Sequence, residues 1–127
     1  MVKDKNYYDN LTELIISCAF KVSNRLGCGF LEKVYKNALL IELTKVGLRI
    51  DSQKPINVFY DGQIIGEYFA DIVVENEIIL ELKAVRALEN MHFAQCQNYL
   101  KATGMKLGLL INFGEEKVKV RRVVNGI

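Results

Sequence analysis

Apolar and polar residues alternate along this chain with two different periods. Leu11, Leu14, Ile15, Cys18, Ala19, Val22 and Leu26 recur at three-and-four spacing, the signature of one buried helix face. Gly27 and Gly29 end that helix. A second helix is predicted from about Leu31 to Val46, with Leu31, Val34, Tyr35, Ala38, Leu39 and Leu43 inward and Gly47 as its stop. From Ile56 the period falls to two: Ile56, Val58 and Tyr60 alternate with other residues, and Asp61-Gly62 is a strong hairpin turn. The return strand runs from near Ile64 to Val74, with Gly66 as the place for a bend. After Glu75-Asn76-Glu77 a third strand, Ile78 to Lys83, completes an antiparallel meander. Asn90 can cap a third helix that ends near Thr103 before Gly104. Leu107 to Phe113 reads as a strand buried on both faces, and Lys117 to Val124 as a last strand after the Gly114-Glu115-Glu116 turn. The predicted order is α-α-β-β-β-α-β-β, an α+β arrangement of a mixed sheet with helices packed on it.

Composition narrows this picture only a little. The 127 residues, half of them hydrophobic and a quarter charged, suit one compact domain spanning 1–127, without repeats, low-complexity tracts or linkers. Seventeen basic against fifteen acidic residues leave +2, too small a surplus to argue for nucleic acid by itself. Cys18, Cys28 and Cys96 form no CxxC pair and, with a lone His92, build neither a disulfide framework nor a zinc site. Reduced thiols, no apolar run near Met1 and no membrane-length apolar stretch lead us to expect a cytoplasmic protein.

Polar residues inside apolar strands are the informative anomaly. Asp71 sits in Tyr68-Phe69-Ala70-Asp71-Ile72-Val73-Val74, and Glu81 and Lys83 share one face of Ile78–Lys83 by alternation. If Glu75-Asn76-Glu77 is a three-residue loop, Asp71 lies opposite Glu81 on the same face. A two-residue loop would place it opposite Leu80 instead. Carboxylates among such neighbours are costly unless paired or bound to a cation, and two opposed ones suit a hard divalent ion such as magnesium. Lys83 would point at the same space, where an amine can fix a water or neutralise a phosphate. The structural alternative is an ion pair of these acids with Lys83 or an arginine.

Two helices add to the constellation. Glu32 opens the second helix, where an acidic residue also favours the helix dipole. In the third helix His92, Gln95 and Tyr99, spaced three and four apart, share a stripe beside Phe93, Cys96 and Leu100. An imidazole, an amide and a phenol on one line can hold a phosphate or orient a lysine. Equally, Gln95 and Tyr99 can border the core, and for His92 alone the structural role is the better reading.

These residues resemble a known family. Gly29-Phe30-Leu31-Glu32-Lys33-Val34-Tyr35 with Asn37-Ala38-Leu39 is similar to the signature of the GxxExxY proteins, a branch of the PD-(D/E)XK nuclease-like superfamily. Gly66 through Asp71, Glu81-Leu82-Lys83, Gln95 to Tyr99 with Leu100, and Gly108 through Gly114 follow in the same order, so that the resemblance runs from Leu11 to about Val124. It implies a restriction-endonuclease-like core of order α-β-β-β-α-β, with an added N-terminal helix and C-terminal strand. It also implies a Mg2+ or Mn2+ ion held by Asp71, Glu81, the Leu82 carbonyl and Glu32. Lys83 would act on the attacking water, and Gln95 and Tyr99 resemble the Gln-x-x-x-Tyr motif of RecB-like nucleases. The chain departs from the pattern at Ala70, where a proline is usual, and at Ser23, where many members of the small family carry a histidine.

The function so implied is metal-dependent hydrolysis of phosphodiester bonds, in DNA more than RNA, by a metal-activated water. Local cationic stripes support it: Lys117, Lys119 and Arg121 alternate on the last strand with Arg122 beside them, and Lys83 and Arg86 lie near the site. The lysines of that strand can also guard a sheet edge. The competing expectation is a non-cleaving module that binds nucleic acid or protein within an assembly. So small a domain would gain substrate contacts from a protein partner or from a second copy as a homodimer.

Overall fold

The computed structural model describes residues 4–126, in the order α1 (Lys5–Leu26), α2 (Glu32–Lys45), β1 (Ile50–Tyr60), β2 (Gln63–Val74), β3 (Ile78–Lys83), α3 (Asn90–Thr103), β4 (Leu107–Asn112) and β5 (Lys119–Val124). This is the α-α-β-β-β-α-β-β order expected. The five strands form one mixed sheet in sequential order, antiparallel throughout except for the parallel β3–β4 pair, which α3 connects. Both strands of that pair are buried almost end to end, as a parallel pair covered on both faces requires.

Helices α1 and α2 cover one face, where Ile15, Tyr35 and Leu39 pack on Ile72, Leu80, Leu82 and Leu109. Helix α3 covers the other, where Cys96, Tyr99 and Leu100 pack on Ala70, Val73 and Ile79. Gly108 on β4 is needed beneath α3, because a Cβ there would lie 2.7 Å from Cys96 Sγ. Between α1 and α2 the buried Glu42 is held by Lys21 (3.0 Å), Lys45 (3.3 Å) and Arg25 (3.8 Å). Hydrophobic period alone could not reveal that anion.

Several element boundaries differ from expectation for identifiable reasons. Helix α1 begins a turn and a half before Leu11, because the Asp4 side chain caps it by accepting from Tyr7 N–H. Leu31, expected inward, is the N-cap of α2 and is mostly exposed. Strand β1 begins at Ile50, six residues early. It is the edge strand, largely exposed, so its polar first half carries no alternation to read, and Pro55 is tolerated there. Helix α3 is capped by Glu89, with Asn90 as its first helical residue. Strand β5 starts at Lys119, leaving Lys117 in the preceding turn, so only Lys119 and Arg121 alternate on it.

The Asp61-Gly62 turn forms as expected, with φ of 50° and 73°. The second turn is the three-residue alternative: Val74 pairs with Ile78, and Glu75 and Asn76 both take left-handed φ.

Candidate active site

The three-residue turn sets Val74 against Ile78, Val73 against Ile79 and Ile72 against Leu80. One further step brings Asp71 across from Glu81. Here the ladder opens, since Asp71 Oδ2, rather than a β2 carbonyl, accepts the Leu82 N–H at 2.8 Å. Opposite Asp71 on the edge strand, Gln53 takes a φ of 56°, between the regular pairs Ser52–Ile72 and Lys54–Ala70. Ala70 and Val73 both pack towards α3, so alternation slips by one residue between them.

That slip corrects the expectation that Asp71 and Glu81 share one face. Asp71 lines a cavity of about 420 Å3 with Glu32, Lys33, Lys36, Gln53 and Leu82 on the α2 side. Glu81, two residues after Ile79 and between the α2-side Leu80 and Leu82, lies on the α3 side by alternation and is 5% exposed. Among the described residues, no three His, Cys, Asp or Glu side chains gather as a metal-holding group. Glu32, Asp71 and Glu81 are neighbours by their electrostatic interactions.

The neighbourhood is strongly coupled. Burial first, and then the Asp71 charge, push the Glu81 carboxyl up to about 8, while a hydrogen bond from the Asp71 backbone and the Lys83 amine act the other way. Crowding by protein, followed by Asp71, also raises the Glu32 carboxyl, with Lys83 and Lys36 opposing. Burial and then Glu81 push the Cys96 thiol and the Tyr99 phenol each up to about 12.

Glu81 Oε1 is buried without a hydrogen-bond partner, which in a protein interior calls for an explanation. An oxygen-seeking cation supplies one, and the donors at hand are hard oxygens. On donor chemistry Asp71, Glu81, the Leu82 carbonyl and Glu32 suit a divalent ion.

Lys83 ends β3 and turns to α3, where its Nζ donates to Gln95 Oε1 at 3.4 Å and Gln95 Nε2 donates to Tyr99 Oη at 3.1 Å. The predicted stripe thus holds the lysine through Gln95 and backs it with Tyr99, whose ring meets Tyr68 at 5.5 Å. His92 does not join them by any described contact. Its Nδ1 accepts the Glu89 N–H at 2.9 Å and closes a capping box, the structural role of the two considered.

Sequence reasoning set Tyr35 inward and Gly29 at a helix end, but did not foresee how they hold this frame. Tyr35, fully buried, donates its O–H to the Gly27 carbonyl (2.6 Å) and accepts the Phe30 N–H (3.2 Å), shaping the turn that presents Glu32. Gly29 in that turn has φ 112°, accessible in practice only to glycine. The Tyr35 ring stacks on Phe113 at 4.8 Å, and Phe113 N–H donates to the Lys83 carbonyl at 2.8 Å. The buried Asn112 amide is bonded to both backbone groups of Val85 and fixes the segment leaving β3. Gln53, Lys33 and Lys36 were also unforeseen; only their placement around Asp71 marks them.

Comparison with known proteins agrees with this architecture. No curated protein matches the chain. A solved structure described as the crystal structure of SSO0001 is 18% identical, with a TM-score of 0.58, covering 100% of this chain and 71% of that one. An alkaline exonuclease, LHK-Exo from Laribacter hongkongensis, is 12% identical, with a TM-score of 0.55, covering 98% and 72%. At such identities these two likenesses speak for the fold. The family model for the PD-(D/E)XK nuclease superfamily matches residues 9–123, nearly the whole chain, and the chain belongs to that superfamily.

Proposed function

We propose that residues 1–127 act as one nuclease domain of the GxxExxY branch, hydrolysing phosphodiester bonds with the help of Mg2+ or Mn2+, in DNA in preference to RNA. Superfamily membership supports the reaction class. The observation that carries the site reading is the buried Glu81 carboxylate, with one orphaned oxygen, beside Asp71 and one turn of the pleat from Lys83. When bound, a divalent ion would lower the pKa of a water and offset charge on phosphate oxygens.

The chain's own residues then have separable roles. Asp71 and Glu81 supply the anionic oxygens, and the hydrogen bond from Leu82 N–H keeps the Asp71 carboxylate in the gap between β2 and β3. Lys83 holds the attacking water or a phosphate oxygen, its amine steered by Gln95. Glu32 closes the α2 side, where Lys33 and Lys36 offer positive charge to the neighbouring phosphates. The free thiols of Cys18, Cys28 and Cys96 support a reducing compartment such as the cytoplasm.

The placement of Asp71 in the α2-side cavity, with Glu81 buried outside it, favours a second reading, a module that binds nucleic acid or protein without cutting. Purified protein incubated with single-stranded DNA, duplex DNA and RNA, with Mg2+, Mn2+ or chelator, separates the two. Cleavage that requires metal and disappears in Glu81→Ala and Lys83→Ala is the expected result. Equal trace cleavage by wild type and both variants would be contamination and would sink the nuclease reading.

A further inference from the structure

Four described residues other than glycine take left-handed φ: Gln53 (56°), Asp61 (50°), Glu75 (53°) and Asn76 (55°). Three of them have a local reason. Asp and Asn tolerate this region best after glycine, because their short polar side chains can bond to nearby backbone. Asp61 leads the Asp61-Gly62 turn, and Asn76 accepts from Lys54 Nζ at 2.6 Å. Glu75 lies in the three-residue turn, where its carboxylate accepts the Arg49 N–H and its own N–H donates to the Arg49 carbonyl. Gln53 has none of these. It lies within β1 and not in a turn, it is exposed, and its side chain bonds to no described residue.

A bend needed only to blunt the edge strand, or to let Asp71 leave the ladder, would be met without strain by glycine and nearly so by asparagine. A long amide in that conformation strains the fold without a compensating contact, and such residues gather where a side chain must be aimed. Gln53 borders the cavity of about 420 Å3 together with Asp71, and with Glu32, Lys33, Lys36 and Asn37 of α2. The lining of that cavity selects the ligand. Leu82 is its one apolar residue and no aromatic ring borders it, so an unpaired base would find nothing to stack on. Lys33 and Lys36 bring positive charge along the α2 wall, which suits phosphate oxygens. On the β1 wall an amide can donate to the same oxygens without the charge of a lysine, which would pair with Asp71 instead.

We propose that Gln53 is a substrate-binding residue, whose side-chain Nε2 donates to a backbone phosphate of the nucleic acid on the β1 side of Asp71. The proposal rests on the reading of this cavity as part of a nucleic acid site, and its test is a binding measurement that needs no cleavage. Fluorescence anisotropy of labelled single-stranded DNA, duplex DNA and RNA, with Ca2+ in place of Mg2+, is compared for the full chain as wild type, Gln53→Gly, Gln53→Glu and the control Gln63→Ala. Gln63 is exposed at the far end of the ribbon, paired with Tyr60. Gln53→Gly keeps the bend, relieves the backbone and removes the amide, so it should melt no lower than wild type yet bind about tenfold more weakly. Gln53→Glu keeps the length of the side chain but offers an anion in place of a donor. It should bind more weakly still while melting within ~2 °C of wild type, whereas a residue that only shapes the strand would accept Glu unchanged. The control should bind within about twofold of wild type. Wild-type affinity in both Gln53 variants, or a lower melting temperature in Gln53→Gly, overturns the proposal. Its failure is distinct from that of the nuclease reading. Binding that depends on Gln53 without any cleavage removes the nuclease reading and leaves this inference standing, whereas binding and cleavage indifferent to Gln53 remove this inference alone. A wild type that binds no nucleic acid removes both.

Discussion

The Asp71 carboxylate takes the backbone N–H of Leu82 at 2.8 Å, standing in for a main-chain acceptor where β2 and β3 part. One side chain therefore both completes the sheet and supplies charge to the site, and the two roles can be separated. Asp71→Asn keeps an oxygen for the Leu82 N–H and should leave stability within ~1 kcal/mol while reducing cleavage at least a hundredfold. Asp71→Ala leaves that N–H unmatched and should cost ~1–3 kcal/mol in addition. Urea unfolding beside a cleavage assay checks both; equal stability loss in the two variants would contradict the dual role.

The Glu81 carboxyl gives metal-free protein a defined pH dependence. Its folded pKa, raised from 4.5 to about 8, means the folded state holds the proton more tightly than the unfolded chain. Its contribution is fully present below pH 4.5 and is lost as pH rises through about 8. Thermal melts in chelator should therefore fall across that window, and Glu81→Gln should flatten the fall and raise the melting temperature at pH 8 by ~5 °C or more. Added Mg2+ should stabilise wild type more at pH 8 than at pH 6, because binding requires the deprotonated acid. A wild-type profile parallel to that of Glu81→Gln would refute the assignment.

Gln95 holds the Lys83 amine at 3.4 Å and is itself bonded to Tyr99. Gln95→Ala should lower kcat about tenfold with little change in KM and leave the melting temperature within ~2 °C, because Gln95 is only half-buried and its loss opens no core cavity. Steady-state cleavage kinetics beside a thermal melt distinguish this from general destabilisation.

Tyr35 couples the two halves of the site, since its hydroxyl shapes the Gly27–Phe30 turn before Glu32 and its ring stacks on Phe113, which bonds the Lys83 carbonyl. Tyr35→Phe keeps the stack and loses both hydroxyl bonds, for an expected ~1–2 kcal/mol. Tyr35→Ala removes a fully buried ring and should cost ~3–5 kcal/mol. Chemical denaturation should order the three proteins in this way.

Gly114 follows the Asn112 clamp, and a Cβ there would lie 2.3 Å from the Val85 carbonyl oxygen and 2.4 Å from its nitrogen. Gly114→Ala must push back the Ala84–Val85 backbone just after Lys83, and should cost ~3 kcal/mol or more together with most of the activity. Gly62→Ala, in the open Asp61-Gly62 turn, meets no atom and bears only its left-handed φ, so ~1 kcal/mol is expected. Comparable loss in both would count against the close contact.

Much of this architecture is legible in the chain because burial is periodic. The inward faces of α1 and α3, the branched runs of β3 and β4 and the Asp61-Gly62 turn each carry their own local signal. The first half of β1 carries none, because an exposed edge strand is held by its ladder to β2 and not by apolar alternation. His92 shows the same limit from the other side: a three-and-four spacing cannot tell a ligand-facing imidazole from one that closes a cap.

From its own residues the chain determined the element order, the candidates Glu32, Asp71, Glu81 and Lys83, and the stripe Gln95–Tyr99, since period and residue chemistry are local properties. Only the tertiary structure decided how those groups meet. The three-residue turn sets Asp71 across from Glu81, and the slip between Ala70 and Val73 then directs Asp71 to the α2 cleft while Glu81 stays beneath α3. The physical reason is that a strand's facing depends on its pairing with β1 and β3 and on a single left-handed φ at Gln53, a residue distant in sequence whose conformation no hydrophobic pattern encodes.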